Sequence, residues 1–170
     1  SLVDVFWRFI SIVTDWSQFV DVLATVLRIL AGLAGAFLIG ALLAVLMARS
    51  RLAHDFLSPA LTLFQGIPAL SWVVFAIIWF HGIESRIFFI MVMTTLPAFS
   101  FQVLGALQGM SRDLTEMVMS FRPSRAKLFT AMIIPAILPD ILTAWKVNLG
   151  NASRVVVVAE LVGATGGVGY

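Results

Sequence analysis

Four polar side chains inside one apolar stretch are the residues best placed to act on a solute: Asn148, Asn151, Arg154 and Glu160. Asn148, Asn151 and Arg154 recur every three residues, which keeps them to about a third of a helix circumference. An ionisable group within hydrocarbon is costly, so such groups face protein or a water-filled cavity. The three could line a translocation route, where the arginine would favour an anion. The arginine could equally pair with a carboxylate on a neighbouring helix, or snorkel to the surface. Glu160 lies about 9 Å further along the axis, on a different face. Gating and helix-to-helix hydrogen bonding are both open to it, and the structural use is the expected one.

Other chemistries find little footing. The chain has no cysteine, and His54 and His81 stand alone in loops without a second ligand at metal spacing. No Ser/His pair or paired aspartates occur in the apolar stretches, so neither catalytic residues nor a metal site are expected. Gly163, Gly166, Gly167 and Gly169 lack the lysine and the strand-to-helix setting of a phosphate cradle. A formal net charge of +2 is too small for a nucleic-acid binder.

The elements that carry these residues follow from solvent physics. The sequence is 61% hydrophobic and 12% charged, with a mean hydropathy of +1.03. A water-soluble domain is typically about a quarter charged. Crossing the hydrocarbon core takes about 20 mostly apolar residues in a helix. Four stretches qualify, at 29–48, 57–80, 87–110 and 134–162. Backbone amides in lipid must be satisfied internally, and stretches apolar on every face are helices rather than barrel strands. An all-α polytopic membrane protein is therefore expected.

Gly32, Gly35 and Gly40, among several alanines, make the first span small-sided, which suits close helix packing in lipid. Gln65, Gly66 and Pro68 interrupt the second span. Pro97 interrupts the third, where Thr94 and Thr95 could re-satisfy freed carbonyls. Residues 1–28 read as an interfacial amphipathic segment, with Val3, Phe6, Trp7, Ile10 and Val13 at helical spacing and Trp7 and Trp16 suited to the headgroup zone.

Basic residues gather in the 49–55 and 111–127 loops, which two spans separate. Both loops can then be cytoplasmic, as the positive-inside rule asks. The second is the more informative. Leu114, Met117, Val118 and Phe121 fall on one face of a short amphipathic helix. Pro123 breaks it, and Ser124 can cap a following helix that carries Leu128, Phe129, Met132 and Ile133. From the residues alone, this element could dock on a partner protein or lie on anionic lipid.

At these residues the chain resembles the inner-membrane permeases of binding-protein-dependent ATP-binding-cassette importers of type I, and more narrowly their nitrate/sulfonate/taurine branch. Glu116 matches the glutamate of the family's cytoplasmic signature, Ser124, Phe129 and Ile133 fall in register, and Pro135 and Pro139 match its prolines. Outside it, Ser50-Arg51-Leu52, Ile67-Pro68, Trp79-Phe80, Gly82, Ala159-Glu160, Gly163-Ala164 and Gly167 to Tyr170 follow the branch's pattern. Arg154 stands where the family has an apolar or aromatic residue. Arg122 takes the signature's glycine position and Met117 and Val118 its small-residue positions. Arg122, preceding Pro123, is expected to be extended.

The resemblance implies a permease domain over 29–170, in a bundle with a further span on either side. It implies a coupling loop over 111–133, in which Glu116, Met117, Val118, Phe121, Arg122, Pro123, Ser124 and Arg125 meet a cytoplasmic ATPase subunit. ATP and Mg would be bound by that ATPase and no cofactor by this chain. A periplasmic or extracellular substrate-binding protein, a second copy of the chain and membrane lipid complete the implied partners. The cargo would be a small, anionic solute. The alternative is a self-sufficient secondary transporter, although no inverted repeat of that class is evident.

Overall fold

The computed structural model describes residues 16–163, and the expected interfacial residues up to Asp15 lie outside the described residues. Helix α1 spans Trp16–Arg49 in 34 residues without a break. Arg28, expected to separate an interfacial segment from the span, instead lies within one continuous helix. Neither proline nor glycine occurs between Trp16 and Ala31 to interrupt it. At 1.5 Å per residue α1 is about 51 Å long, well beyond the roughly 30 Å hydrocarbon core.

Ser50 ends α1 and starts α2 (Arg51–Gly66), its hydroxyl accepting from the Ala53 N–H at 3.3 Å. Helix α3 (Ala69–Trp79) follows after an elbow of 93°. Proline has no N–H and pushes its predecessor out of the helical region. Ile67, before Pro68, is accordingly extended, with φ −78° and ψ 123°. Phe64 and Trp72 stack across the elbow, with ring centroids 5.6 Å apart.

Helix α4 (Ile83–Gln108) passes Pro97 unbroken. Thr94 and Thr95 do not compensate the proline in the expected way. Their hydroxyls donate to the carbonyls of Ile90 and Met91 at 2.7–3.1 Å, which stand before the Met93 carbonyl that Pro97 leaves without its helical donor. Helix α5 (Arg112–Ser120), a turn, the short α6 (Arg125–Leu128), a π-helical segment (Phe129–Ile133) and α7 (Ile134–Gly163) complete the described chain. The π segment precedes Pro135, which lacks the N–H for the next helical bond, and the Ile134 N–H bonds the Phe129 carbonyl instead. From Ala126 to Leu161 the chain is long and apolar enough to cross a membrane, as are Phe19–Arg49 and Ile83–Gln108.

Helices α1 and α4 run parallel. Gly32 meets Met91 and Gly40 meets Phe99 in the same register. A Cβ on Gly32 would stand 2.5 Å from that of Met91, so the glycine permits the approach. Because α1 and α4 point the same way, α2 and α3 together must carry the chain back across. Their packing agrees: Leu61 of α2 joins Ala44, Met47, Val103 and Leu104 near one end. Val73 and Ala76 of α3 join Ile29, Leu33 and Ile87 towards the other. The broken pair is thus a fourth crossing. Helix α7 returns antiparallel, its Trp145 packed on Phe37 and Phe99 with centroids 5.5 and 5.6 Å apart.

Candidate translocation and coupling sites

The sequence-selected residues of α7 separate in space. Asn148 is buried, and its amide donates to Gln102 Oε1 of α4 at 2.7 Å and to the Ala144 carbonyl at 2.9 Å. Asn151 and Arg154 are exposed, and no ion pair of Arg154 occurs among the described residues. The stripe of three therefore starts in the core and drifts to the uncovered side of α7. Where the stripe begins, a cleft of about 340 Å³ opens between α4 and α7, lined by Gln102, Gly105, Ala106, Asp140, Thr143 and Ala144.

Glu160 is fully buried and belongs to a different assembly. Its Oε1 accepts from the Thr25 hydroxyl at 2.8 Å and from Arg28 Nη1 at 2.9 Å. Arg28 also reaches Glu84, with Nη2 to Oε1 at 2.5 Å and Nε to both carboxylate oxygens at 3.1 Å. One guanidinium thus ties α1 to the start of α4 and the far end of α7. Planar geometry suits arginine to bridging two carboxylates. A buried carboxylate left alone in this apolar setting would be strongly disfavoured.

Thr25, Arg28, Glu84 and Gln102 escape a reading by apolar stretches, because the first three lie outside the stretches and Gln102 is a lone amide within one. The usable signal was the one-turn spacing of Thr25 and Arg28, which puts a hydroxyl and a cation on the same face.

At the opposite end, where α1 and α4 terminate, the helix–turn–helix stands free. Residues Leu114, Met117 and Phe121 share one face of α5 and are 57%, 55% and 80% exposed. Val118 on that face is half-buried and Glu116 is exposed. Helix α5 buries none of its residues and packs extensively on no other element. Met119 is also exposed, away from that face.

The turn itself corrects the sequence expectation for Arg122. Its φ is +46°, and it is the sole non-glycine residue with positive φ among the described residues. The left-handed backbone that a glycine adopts freely is kept with an arginine in its place. Closure of the turn explains why: the Phe121 N–H donates to the Val118 carbonyl at 3.2 Å and the Arg122 N–H to Met119 at 3.0 Å. Pro123 also disfavours the right-handed alternative for its predecessor. Ser124 caps the next helix, its hydroxyl accepting from the Lys127 N–H at 3.3 Å. The side chain of Arg125 lies outside the described residues.

Broken, glycine-packed spans and a freestanding amphipathic helix–turn–helix define a polytopic helical membrane protein. Residues 36–170 match the family described as binding-protein-dependent transport system inner membrane component. The chain belongs to that family, the permeases of binding-protein-dependent ATP-binding-cassette importers. It is similar to the taurine transport system permease protein TauC of Escherichia coli K12, with 30% identity over 86% of this chain and 54% of the relative. It is also similar to the nitrate import permease protein NrtB of a Synechocystis species, with 26% identity over 92% of this chain and 57% of the relative. The corresponding nitrate permease of Leptolyngbya laminosa is 26% identical over 92% of this chain and 55% of its own length. The chain thus spans little more than half the length of these relatives.

Proposed function

We propose that this chain is the membrane-spanning part of an ATP-driven importer for a small anionic solute of the nitrate, sulfonate or taurine kind. A separate cytoplasmic ATPase would supply the energy and bind ATP and Mg, while this chain itself hydrolyses nothing. A secreted binding protein delivers the solute, and a second copy of the chain completes the pathway in the inner membrane. The 49–55 and 111–127 loops face the cytoplasm.

The observation that carries this reading is α5. A short helix with Leu114, Met117 and Phe121 exposed on one face, and arginines nearby, calls for a protein partner that covers it. Apolar anchors rimmed by charge are the usual form of such a contact. Because α5 packs extensively on nothing else, force applied to it reaches the bundle through its chain connections, the short link from α4 on one side and the Arg122–Pro123 turn, α6 and the π segment on the other. Both connections are short, so α5 is suited to transmit a push rather than absorb it. The uncovered side of α7 supports a second copy as neighbour. Only 11% of the most apolar part of Ala126–Leu161 is buried, against 56% for Ile83–Gln108.

Phe121→Asp combined with Arg125→Glu tests the docking. The expected result is loss of ATPase co-purification and of uptake, with the permease still inserted in the membrane. Retention of both would sink the coupling role. Uptake driven by an ion gradient without any ATPase would favour a secondary transporter instead.

A further inference from the structure

The geometry points to Lys146 as an anion-contacting residue at the middle of the membrane, on the uncovered face of α7. This inference rests on the importer reading and sharpens it to one side chain. Depth comes first. The charge-free run of α1 covers 29–48, so its centre lies beside Phe37. Trp145 of α7 packs its ring on Phe37 at 5.5 Å, which sets the neighbouring Lys146 close to the midplane. The interface is then about 15 Å away in either direction, beyond the reach of a four-carbon stem. Snorkelling is therefore not open to Lys146.

Its surroundings come second. Lys146 is exposed, and no ion pair of it occurs among the described residues. The positions one turn away, Leu142, Thr143, Leu149 and Gly150, are all uncharged. Arg28 answers the Glu84 and Glu160 carboxylates at one end of the bundle. Asp140 lies about 9 Å along the axis towards the other end and about a third of a turn round the helix. Gly150 leaves open space, with no atom within 4 Å of where a Cβ would stand. An ammonium and an adjoining notch thus share one face, and Arg154 follows about 12 Å further along. A cation with no ion pair among the described residues at this depth faces water or protein, not lipid. Spaced cations on such a face suit a small oxyanion that is held weakly and passed on.

The absence of cysteine in the chain allows a direct test in the complex with the co-expressed ATPase and binding protein. Lys146→Cys should react with a water-soluble thiosulfonate, and saturating nitrate or taurine should slow that reaction at least threefold. Lys146→Gln should lower uptake of the same anion at least tenfold, chiefly through KM, with ATPase co-purification unchanged. Lys146→Arg should recover uptake to within about threefold of the parent. Normal uptake by Lys146→Gln, or an introduced thiol at position 146 that is unreactive or unprotected, overturns the assignment and leaves the importer reading intact. Loss of complex assembly in the glutamine variant, restored by arginine without anion protection, marks a structural pair and also overturns it. Failure of the parent complex to take up either anion counts against the importer reading for these solutes and removes the basis of the inference.

Discussion

Among the described residues Arg28 holds two carboxylates of unequal standing, since Glu84 has 70% of its side chain exposed and Glu160 none. Exposed ion pairs contribute on the order of 0–1 kcal/mol because water already solvates both partners. Removing one partner of a buried pair costs about 3–5 kcal/mol, since the remaining charge keeps its desolvation penalty. Arg28→Ala should therefore lower the thermal midpoint of the detergent-solubilised protein by several degrees, while Glu84→Gln should change it little. Equal shifts for the two would mean that Glu160 does not depend on the guanidinium. Glu160 was recognisable in the sequence as an intramembrane carboxylate, but its partner was not. Arg28 follows a mixed run of apolar and polar residues that reads as an interface, so a one-dimensional scan treats it as a boundary. Only the return of α7 to the same end makes it a bridge.

At the scale of elements, the glycines of α1 matter because α4 lies against them. Gly32→Leu would force atoms into the space of Met91, and overpacking of this kind typically costs about 1–3 kcal/mol. Gly105→Ala, where nothing stands within 4 Å of the added carbon, should be almost silent. Thermal unfolding of the two variants separates a glycine that permits close approach from one that merely sits in a helix. The long apolar helices were legible, since such stretches leave the backbone few alternatives in lipid. The elbow at Pro68 was legible as an interruption, but not as a 93° bend. Its angle depends on where Trp72 stacks on Phe64 and meets Phe89 edge to face, which is tertiary information. The positive φ of Arg122 was misread for a similar reason. The rule for residues before proline leaves the left-handed region open, and closure of the two turn hydrogen bonds selects it.

For the whole molecule, the direction of each crossing follows from the parallel α1–α4 pair and the antiparallel α7. The Arg28 cluster then lies at one membrane face and the α5 turn at the other. Single cysteines at Ser85 and Ser124 of an otherwise cysteine-free chain test this arrangement in intact cells. An impermeant maleimide should label Ser85→Cys and spare Ser124→Cys until the membrane is opened. The reverse pattern would invert the proposed orientation and remove α5 from reach of a cytoplasmic ATPase.

The parallel register of α1 and α4 also governs how the chain is made. Helix α1 leaves the ribosome before α4, and its notched face, at Gly32 and Gly40, meets Met91 and Phe99 only once they have been synthesised. The intervening α2–α3 elbow must cross in the opposite sense before α4 can enter alongside α1. Insertion is therefore ordered rather than concurrent, and this packing seam closes only when α4 arrives. A nascent chain halted before Met91 carries an open seam in the bilayer, the state on which membrane insertases and quality-control proteases act.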